Sequence, residues 1–220
     1  MKDLKGIRGA FYIASLIEEG EHEHQDFKFA ISDARKIARS LSAFANNDGG
    51  RLLVGVKDNG QIAGLRTDED IYLIEQAAEM YCRPAREVTS TAFRCEGGKV
   101  VVRVEIAAKS RTEPPVAVRE ADGTMKCYYR VADENIVVPP VVERAWRYRA
   151  EAGALSFSPS AERMALLSLA ARPEGTSLRD FMLTAHISET AATQVLMDAH
   201  ALGLVDFAYR SGRFVIIQQS

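Results

Sequence analysis

Residues 21–65 read EHEHQDFKFAISDARKIARSLSAFANNDGGRLLVGVKDNGQIAGL, which is a strand, a helix and a second strand in succession. Over residues 24–30 the apolar Phe27 and Phe29 alternate with Asp26 and Lys28. That is the two-residue period of a half-buried strand, and it puts Asp26 and Lys28 on one face. From Ser32 the period changes. Ile37, Leu41, Phe44 and Ala45 recur at helical spacing, Ser32 and Asp33 supply capping oxygens, and Asn46-Asn47-Asp48-Gly49-Gly50 stops the helix. Residues 51–56, RLLVGV, are an apolar run of strand length. Lys57-Asp58-Asn59-Gly60 closes it, and its Asn-Gly pair favours a tight turn, so Asp58 stands where a strand leaves the core.

Working outward, residues 67–81 predict a helix, 87–95 and 99–106 a hairpin around Glu96-Gly97-Gly98, and 125–131 a further strand. Pro139-Pro140 interrupts regular structure before a helix that carries Trp146, and residues 153–159, rich in Gly, Ser and Pro, predict a linker. The expected fold class is therefore α/β, an α+β domain with a mixed sheet over residues 1–152, followed by a small domain over 160–220. In the second domain, helices are expected over 161–171, 177–184 and 188–202, the last entered through a Ser188 cap, and a hairpin over 204–207 and 213–217. Helix, helix, helix, hairpin is the winged-helix order, and the segment resembles that broad superfamily.

Charge gives no global field to attract a polyanion, since the 220 residues carry a formal net charge of −2. Any nucleic-acid surface must be local. Candidates are Arg35, Lys36 and Arg39 on the first long helix, Lys109 and Arg111 in a loop, and Arg144, Arg147 and Arg149 near the Trp146 helix. The same charges read equally as a solvated face. In the 188–202 helix, Ala192, Val195, Leu196, Ala199 and Leu202 form the packed stripe and leave Glu189, Thr190, Thr193, Gln194, Met197 and Asp198 outward. Thr193 and Gln194 are of a type that reads bases, and Arg210 and Arg213 on the wing suit phosphates, whereas Glu189 and Asp198 oppose them. No Gly-x-x-x-x-Gly-Lys-Ser/Thr loop is present, and Asn47-Asp48-Gly49-Gly50 ends a helix instead of opening one. No apolar run has membrane-spanning length, and residues 1–5 lack the apolar core of a signal peptide. Cys82, Cys95 and Cys127 are odd in number and lack paired metal spacing, which indicates reduced thiols in a cytoplasm.

Taken in order, Glu21, Asp26-Phe27-Lys28, Ala43-Phe44-Ala45-Asn46, Gly49-Gly50 and Gly55-Val56-x-Asp58 resemble the Schlafen AlbA-like domain, also labelled a DNA-binding or divergent AAA domain. A weaker likeness continues through residues 100–106, Lys109-Ser110, Pro114-Pro115 and Tyr128-Tyr129-Arg130-Val131, so it covers roughly the first two-thirds of the chain. In ribonuclease members of that family three carboxylates form a metal-dependent centre. The resemblance implies Glu21, Asp26 and Asp58 in those places, with Mg or Mn as the ion and Lys28 as a phosphate contact. This sequence departs from the pattern twice, with Asp26 in place of the second glutamate and Lys57 in place of the first aspartate. The alternative is a solvated loop residue at Glu21, a surface strand pair at Asp26 and Lys28, and a turn residue at Asp58. Separately, an extended chain would align His22, His24 and Asp26 on one face, a donor set for a transition metal, although a charged loop explains the same residues. The function expected is a nucleic-acid-binding protein, a transcriptional regulator that binds DNA or RNA and requires no cofactor for binding. The alternatives are a metal-dependent endoribonuclease and a non-catalytic interaction module that forms a homo-oligomer.

Overall fold

The computed structural model describes residues 6–156 and 158–219. Residues 1–5, on which the reading of the N-terminus rests, Phe157 in the expected linker and Ser220 lie outside the described residues. The chain divides into two compact units, Met1–Lys109 with Pro115–Val138, and Ser110–Pro114 with Pro139–Ser220.

The first unit runs β1 (Ile7–Arg8), α1 (Ala10–Glu18), β2 (Gln25–Lys28), α2 (Ala34–Asn46), β3 (Gly50–Val54), α3 (Glu69–Gln76) continued by a π-turn at Ala77–Tyr81, then β4 (Cys82–Arg83), β5 (Thr89–Arg94), β6 (Val100–Ile106), β7 (Ala117–Arg119), β8 (Met125–Val131) and β9 (Glu134–Val137). One sheet is mixed, in the order β1-β5-β6-β3-β2, and a second is antiparallel, in the order β4-β7-β8-β9. The two-residue period of β3 sorts its side chains between two cores. Leu53 joins Phe27, Phe93 and Val101 under Ile13 and Leu16 of α1, while Leu52 and Val54 join Ile37, Leu41 and Phe44 of α2. Each of these fully buried side chains contributes about 1.5–3 kcal/mol of transfer free energy.

Local chemistry sets the ends of α2. Asp33 caps it by accepting from the Arg35 N–H at 2.8 Å. At the other end the Gly49 N–H donates to the Phe44 carbonyl at 2.9 Å. Gly49 has φ +80°, and a Cβ there would lie 2.9 Å from the backbone of Ile106 and Ala108, so the expected helix stop needs glycine at this position.

The second unit contains α4 (Pro140–Glu151), α5 (Ala161–Ala170), α6 (Leu178–Ala185), α7 (Glu189–Ala201) and the antiparallel pair β10 (Val205–Arg210) and β11 (Arg213–Gln218). Ser160, Ser177 and Ser188 cap α5, α6 and α7 through their side chains. His186, at φ 54°, ends α6 in the left-handed region. Thr176 bridges to Ile216 and ties the hairpin to the segment between α5 and α6.

Several features differ from expectation. The compact units part at Val138, earlier than the Gly, Ser and Pro stretch at 153–159, because Ala145 of α4 is buried with Leu166, Phe181 and Leu196 of the second unit. Phe29 lies beyond β2 and is 41% exposed, so it is not a core residue of that strand. Met197, expected on the outer face of α7, is buried. Elements β1, α1, β4, β7 and β9 had no counterpart in the sequence reading. No helix of the described residues is long and apolar enough to cross a membrane.

Candidate functional site

Strand β2 lies at the edge of the mixed sheet, paired only with β3, with Asp26 opposite Leu52 and Lys28 opposite Val54. Phe27 fills the α1 side, so Asp26 and Lys28 project to the other side. That side is covered by α2 and β8, and Asp26 is 4% exposed instead of half-solvated. Its carboxylate sits in a polar circuit. Lys28 Nζ lies 2.8 Å away, Arg130 Nη2 forms an ion pair at 3.5 Å, and the Ser40 hydroxyl donates at 3.4 Å. Arg130 in turn donates to Asn135 Oδ1 at 3.1 Å, and Asn135 Nδ2 donates to Ser40 Oγ at 3.0 Å, which closes the ring. Arg130 is 2% exposed and lies over the Phe44 ring, 5.3 Å from its centroid.

Glu21 completes the cluster. Its Oε1 accepts from the Phe27 N–H at 2.8 Å and satisfies a donor on the open edge of β2. Burial, the hydrogen bond with Asp26 and the charge of Asp26 push the Glu21 carboxyl up to about 7. Burial also acts to raise Asp26, but the Glu21 hydrogen bond and the cations Lys28 and Arg130 outweigh it and hold Asp26 below the usual range. The two residues form a proton-sharing carboxyl pair. Lys28 and Arg130 already compensate the Asp26 carboxylate, so the cluster offers little net negative charge to a divalent ion.

Asp58 does not join this pair. It is exposed on the turn after β3, beyond Val54, while Asp26 lies further back along the register. The donor set therefore does not fit the magnesium or manganese that the three-carboxylate pattern implies, and no hydrolytic step is derived through one. The histidine alternative also fails to assemble. His22 and Gln25 exchange backbone hydrogen bonds in a tight turn, so residues 22–26 are not extended. His22 contacts Glu19 at 3.5 Å, His24 Nδ1 meets the Gly49 carbonyl at 3.1 Å, and Asp26 faces α2. Among the described residues, no group of three or more His, Cys, Asp or Glu side chains is placed to hold a metal.

The expected cations fare unequally as free phosphate contacts. Arg39 grips Glu120 with two hydrogen bonds, at 3.0 and 2.5 Å, beside the Tyr128 hydroxyl, and this arrangement, against the effect of burial, holds the Glu120 carboxyl below its ordinary range. Arg35 lies over the Tyr81 ring, Arg147 pairs with Glu143 at 2.8 Å, and Arg149 donates to the Arg111 carbonyl. Arg111 donates to Gln219 at 2.7 Å, and the Lys109 N–H donates to the Ala45 carbonyl. Lys36, Arg144 and Arg213 are exposed, and Arg210 donates to the Pro173 carbonyl. On α7, Thr193 is half-buried and Gln194 is exposed but bonded to Asp198 and Tyr148. Asp198 points inward, accepting from Tyr148 at 2.9 Å and from Arg163 at 3.1 Å, so it does not face outward as expected.

The sequence reading missed Ser40, Arg130 and Asn135 as partners of Asp26, and Arg172 and Arg179 as exposed cations of the second unit. The motif residues themselves supplied a signal. Asn46 exchanges hydrogen bonds with the backbone of Val116 and donates to the Tyr128 carbonyl, and Asn47 brackets the backbone of Arg130. The Ala-Phe-Ala-Asn and Tyr-Tyr-Arg-Val segments are thus two sides of one clamp, which delivers Arg130 to Asp26.

These features define a mixed α/β domain whose polar centre is a clamped carboxyl pair. The chain matches the family described as Schlafen, AlbA_2 over residues 21–139, more than half its length, and it belongs to that family. The family fits a nucleic-acid-binding or nuclease-like role. No curated protein matches the chain. Among solved structures it is similar to the DIP2311 protein from Corynebacterium diphtheriae, with 22% identity and a TM-score of 0.42, over 88% of this chain and 34% of that one. The chain thus spans about a third of the length of that protein.

Proposed function

We propose that this protein is a nucleic-acid-binding regulator in which the AlbA_2 unit is a non-hydrolytic scaffold and the second unit docks on duplex DNA. The observation that carries the reading is the succession of α6, a left-handed turn at His186, the Ser188-capped α7 and the β10–β11 hairpin. This is the helix-turn-helix order with a wing. Arg172, Arg179 and Arg213 of this unit are exposed and available to phosphates. The inward hold on Asp198 removes one carboxylate that would have repelled them. The scaffold half of the reading rests on the occupied Asp26 carboxylate and on the absence, among the described residues, of any cluster of three carboxylates that includes Asp58. The buried thiols of Cys82, Cys95 and Cys127 support a reducing, cytoplasmic compartment.

The test is selection from a randomised duplex pool by purified full-length protein, followed by binding isotherms of the selected and scrambled sequences. The expected result is at least a hundredfold preference for the selected sequence, with Arg179→Ala/Arg213→Ala weakening both and lowering the salt slope by about 1.8, at about 0.9 per lost phosphate contact. Affinity that does not vary with sequence would overturn the regulator reading. Metal-dependent RNA cleavage abolished by Asp26→Asn would overturn the scaffold.

A further inference from the structure

His200 stands on the last turn of α7 and is 0% exposed. Its ring packs against Phe207 of β10, with the centroids 5.1 Å apart. Nε2 has two neighbours with opposite demands. Asp206 Oδ1, at 3.3 Å, calls for a proton on that nitrogen, whereas Arg149 Nη1, also at 3.3 Å, calls for a lone pair. Nδ1 is buried and has no hydrogen-bond partner among the described residues. Buried polar atoms are ordinarily bonded, so this ring is held in a site that does not fully satisfy it.

Three proton arrangements are open to the ring, and the site ranks them. A proton on Nε2 alone serves Asp206 and leaves one lone pair unmet at Nδ1. A proton on Nδ1 alone serves Arg149, but it turns a second acceptor towards Asp206 and buries an N–H without a partner. Protons on both nitrogens bury that same N–H and add a third cation to Arg149 and Arg111, against the single carboxylate of Asp206. Arg111 reaches Asp206 at 4.0 Å, and Arg149 Nε donates to the Arg111 carbonyl. On the other elements packed against α7, Glu162 and Arg163 of α5 are spent on Ser160 and Asp198, and Arg179 and Asp180 of α6 are exposed. Burial, opposed by the Asp206 hydrogen bond and reinforced by the charges of Arg149 and Arg111, keeps the His200 pKa below its ordinary 6.5. Burial acts to raise Asp206, but its hydrogen bond with His200 and the neighbouring positive charge outweigh this, so Asp206 stays ionised in mild acid.

We infer that His200 is an acid-sensitive latch of the second unit: its neutral ring locks the end of α7 to α4 and β10, and proton uptake loosens that junction and the grip on duplex DNA with it. The junction matters because α7 and the β10–β11 hairpin are the helix and the wing of the proposed duplex surface. The consequence for DNA rests on that reading, whereas the loosening does not. Above pH 6.5 the ring is neutral in the folded and unfolded chains alike. Below 6.5 the unfolded chain takes up the proton first, so the second unit loses stability as pH falls from 6.5 towards the lower folded value. The folding constant changes by at most about tenfold per pH unit, the limit for one linked proton.

The experiment is urea unfolding of the full-length protein from about pH 7.5 to about pH 5, the range in which histidine titrates. It is followed by Trp146 fluorescence, which reports the second unit and not the titration of Glu21 in the first. The expected result is a folding constant that falls below pH 6.5 in the parent and stays level in His200→Gln, which keeps an N–H for Asp206 and cannot titrate. His186, the other histidine of this unit, is exposed, and His186→Asn should keep the parent's decline. A level parent, or a decline retained in His200→Gln, would overturn the latch. Where His200→Gln does not fold, the His200 Cε1 proton resonance of the parent decides, a midpoint below 6.5 supporting the latch and one at or above 6.5 refuting it. A second arm measures the affinity of the selected duplex at about pH 7.5 and about pH 5.5 in constant salt. Added positive charge by itself tightens DNA in acid, so weakening by about threefold or more in the parent, absent from His200→Gln, is expected. Tightening in both proteins would refute the switch. A parent that binds no duplex at either pH would refute the duplex reading, and the unfolding arm would still decide the latch.

Discussion

Replacing Asp26 by Asn should destabilise the first unit by about 3–5 kcal/mol, far more than an exposed strand pair warrants. Asp26 is 4% exposed and Arg130, its partner at 3.5 Å, is 2% exposed. At that separation the gross attraction is about 5 kcal/mol for an effective dielectric near 20. Lys28 lies closer, at 2.8 Å, but its side chain is 30% exposed and solvent screens much of its contribution. What sets the cost is the guanidinium left behind. A buried charge deprived of its partner costs about 3–5 kcal/mol, whereas removal of both partners in favour of apolar groups is often close to neutral. Asp26→Asn/Arg130→Met should therefore recover at least 2 kcal/mol relative to Asp26→Asn alone. Equilibrium urea unfolding measures both. The chain's one tryptophan, Trp146, lies on α4 in the second unit, so the far-UV circular dichroism transition that the tryptophan trace does not follow reports the first unit. An Asp26→Asn midpoint within 1 kcal/mol of the parent would refute the buried-circuit reasoning and return Asp26 to the surface strand reading.

The remaining predictions follow from the same geometry. Glu21 keeps its proton to about 7 in the folded chain against an ordinary 4.5, so its contribution is complete below 4.5, declines as pH rises and is gone above about 7. After solvent screening about 1 kcal/mol remains, and urea midpoints of Glu21→Gln should lack this decline. Adding magnesium to 100 times a dissociation constant would stabilise a native site by about 2.7 kcal/mol, so an unchanged melting temperature in ~10 mM magnesium is expected; a rise lost in Asp26→Asn would contradict the poor fit. Gly175 has φ +71°, and a Cβ there would sit 2.6 Å from the Ile216 carbonyl oxygen. Gly175→Ala should thus cost the second unit about 2 kcal/mol, read from Trp146 fluorescence, and weaken duplex binding with it. Burial pushes the Cys82 thiol up to about 12, and Cys95 and Cys127 are also buried, so all three should resist DTNB in the native protein and react on unfolding. Fast reaction of any one of them would contradict that packing.

Much of the fold was legible because its signals are local. The alternation at Phe27, the helical repeat from Ile37 to Phe44 and the glycines after Asn47 act over a few residues, and the structure places β2, α2 and β3 where they point. The order of three helices and a hairpin in the second unit was equally readable from the apolar repeats and the Ser188 cap. Boundaries depended on packing instead. Nothing in residues 140–151 states which core they join, and only the burial of Ala145 against α5 and α7 assigns α4 to the second unit. Met197 and Asp198 show the same limit, since their exposure depends on α4 and α5 arriving from elsewhere in the chain.

The candidate site divides along the same line. Sequence by itself determined that Glu21, Asp26 and Lys28 belong to one short segment and that Asp58 follows a strand, because those facts depend on spacing. Tertiary structure alone decided what they do. It covered both faces of β2, brought Arg130 from a strand far along the chain through the Asn46 and Asn47 clamp, and left Asp58 outside. The physical reason is that a carboxylate's charge state and partners are set by burial and by groups within a few ångströms, and neither is a property of neighbours in sequence.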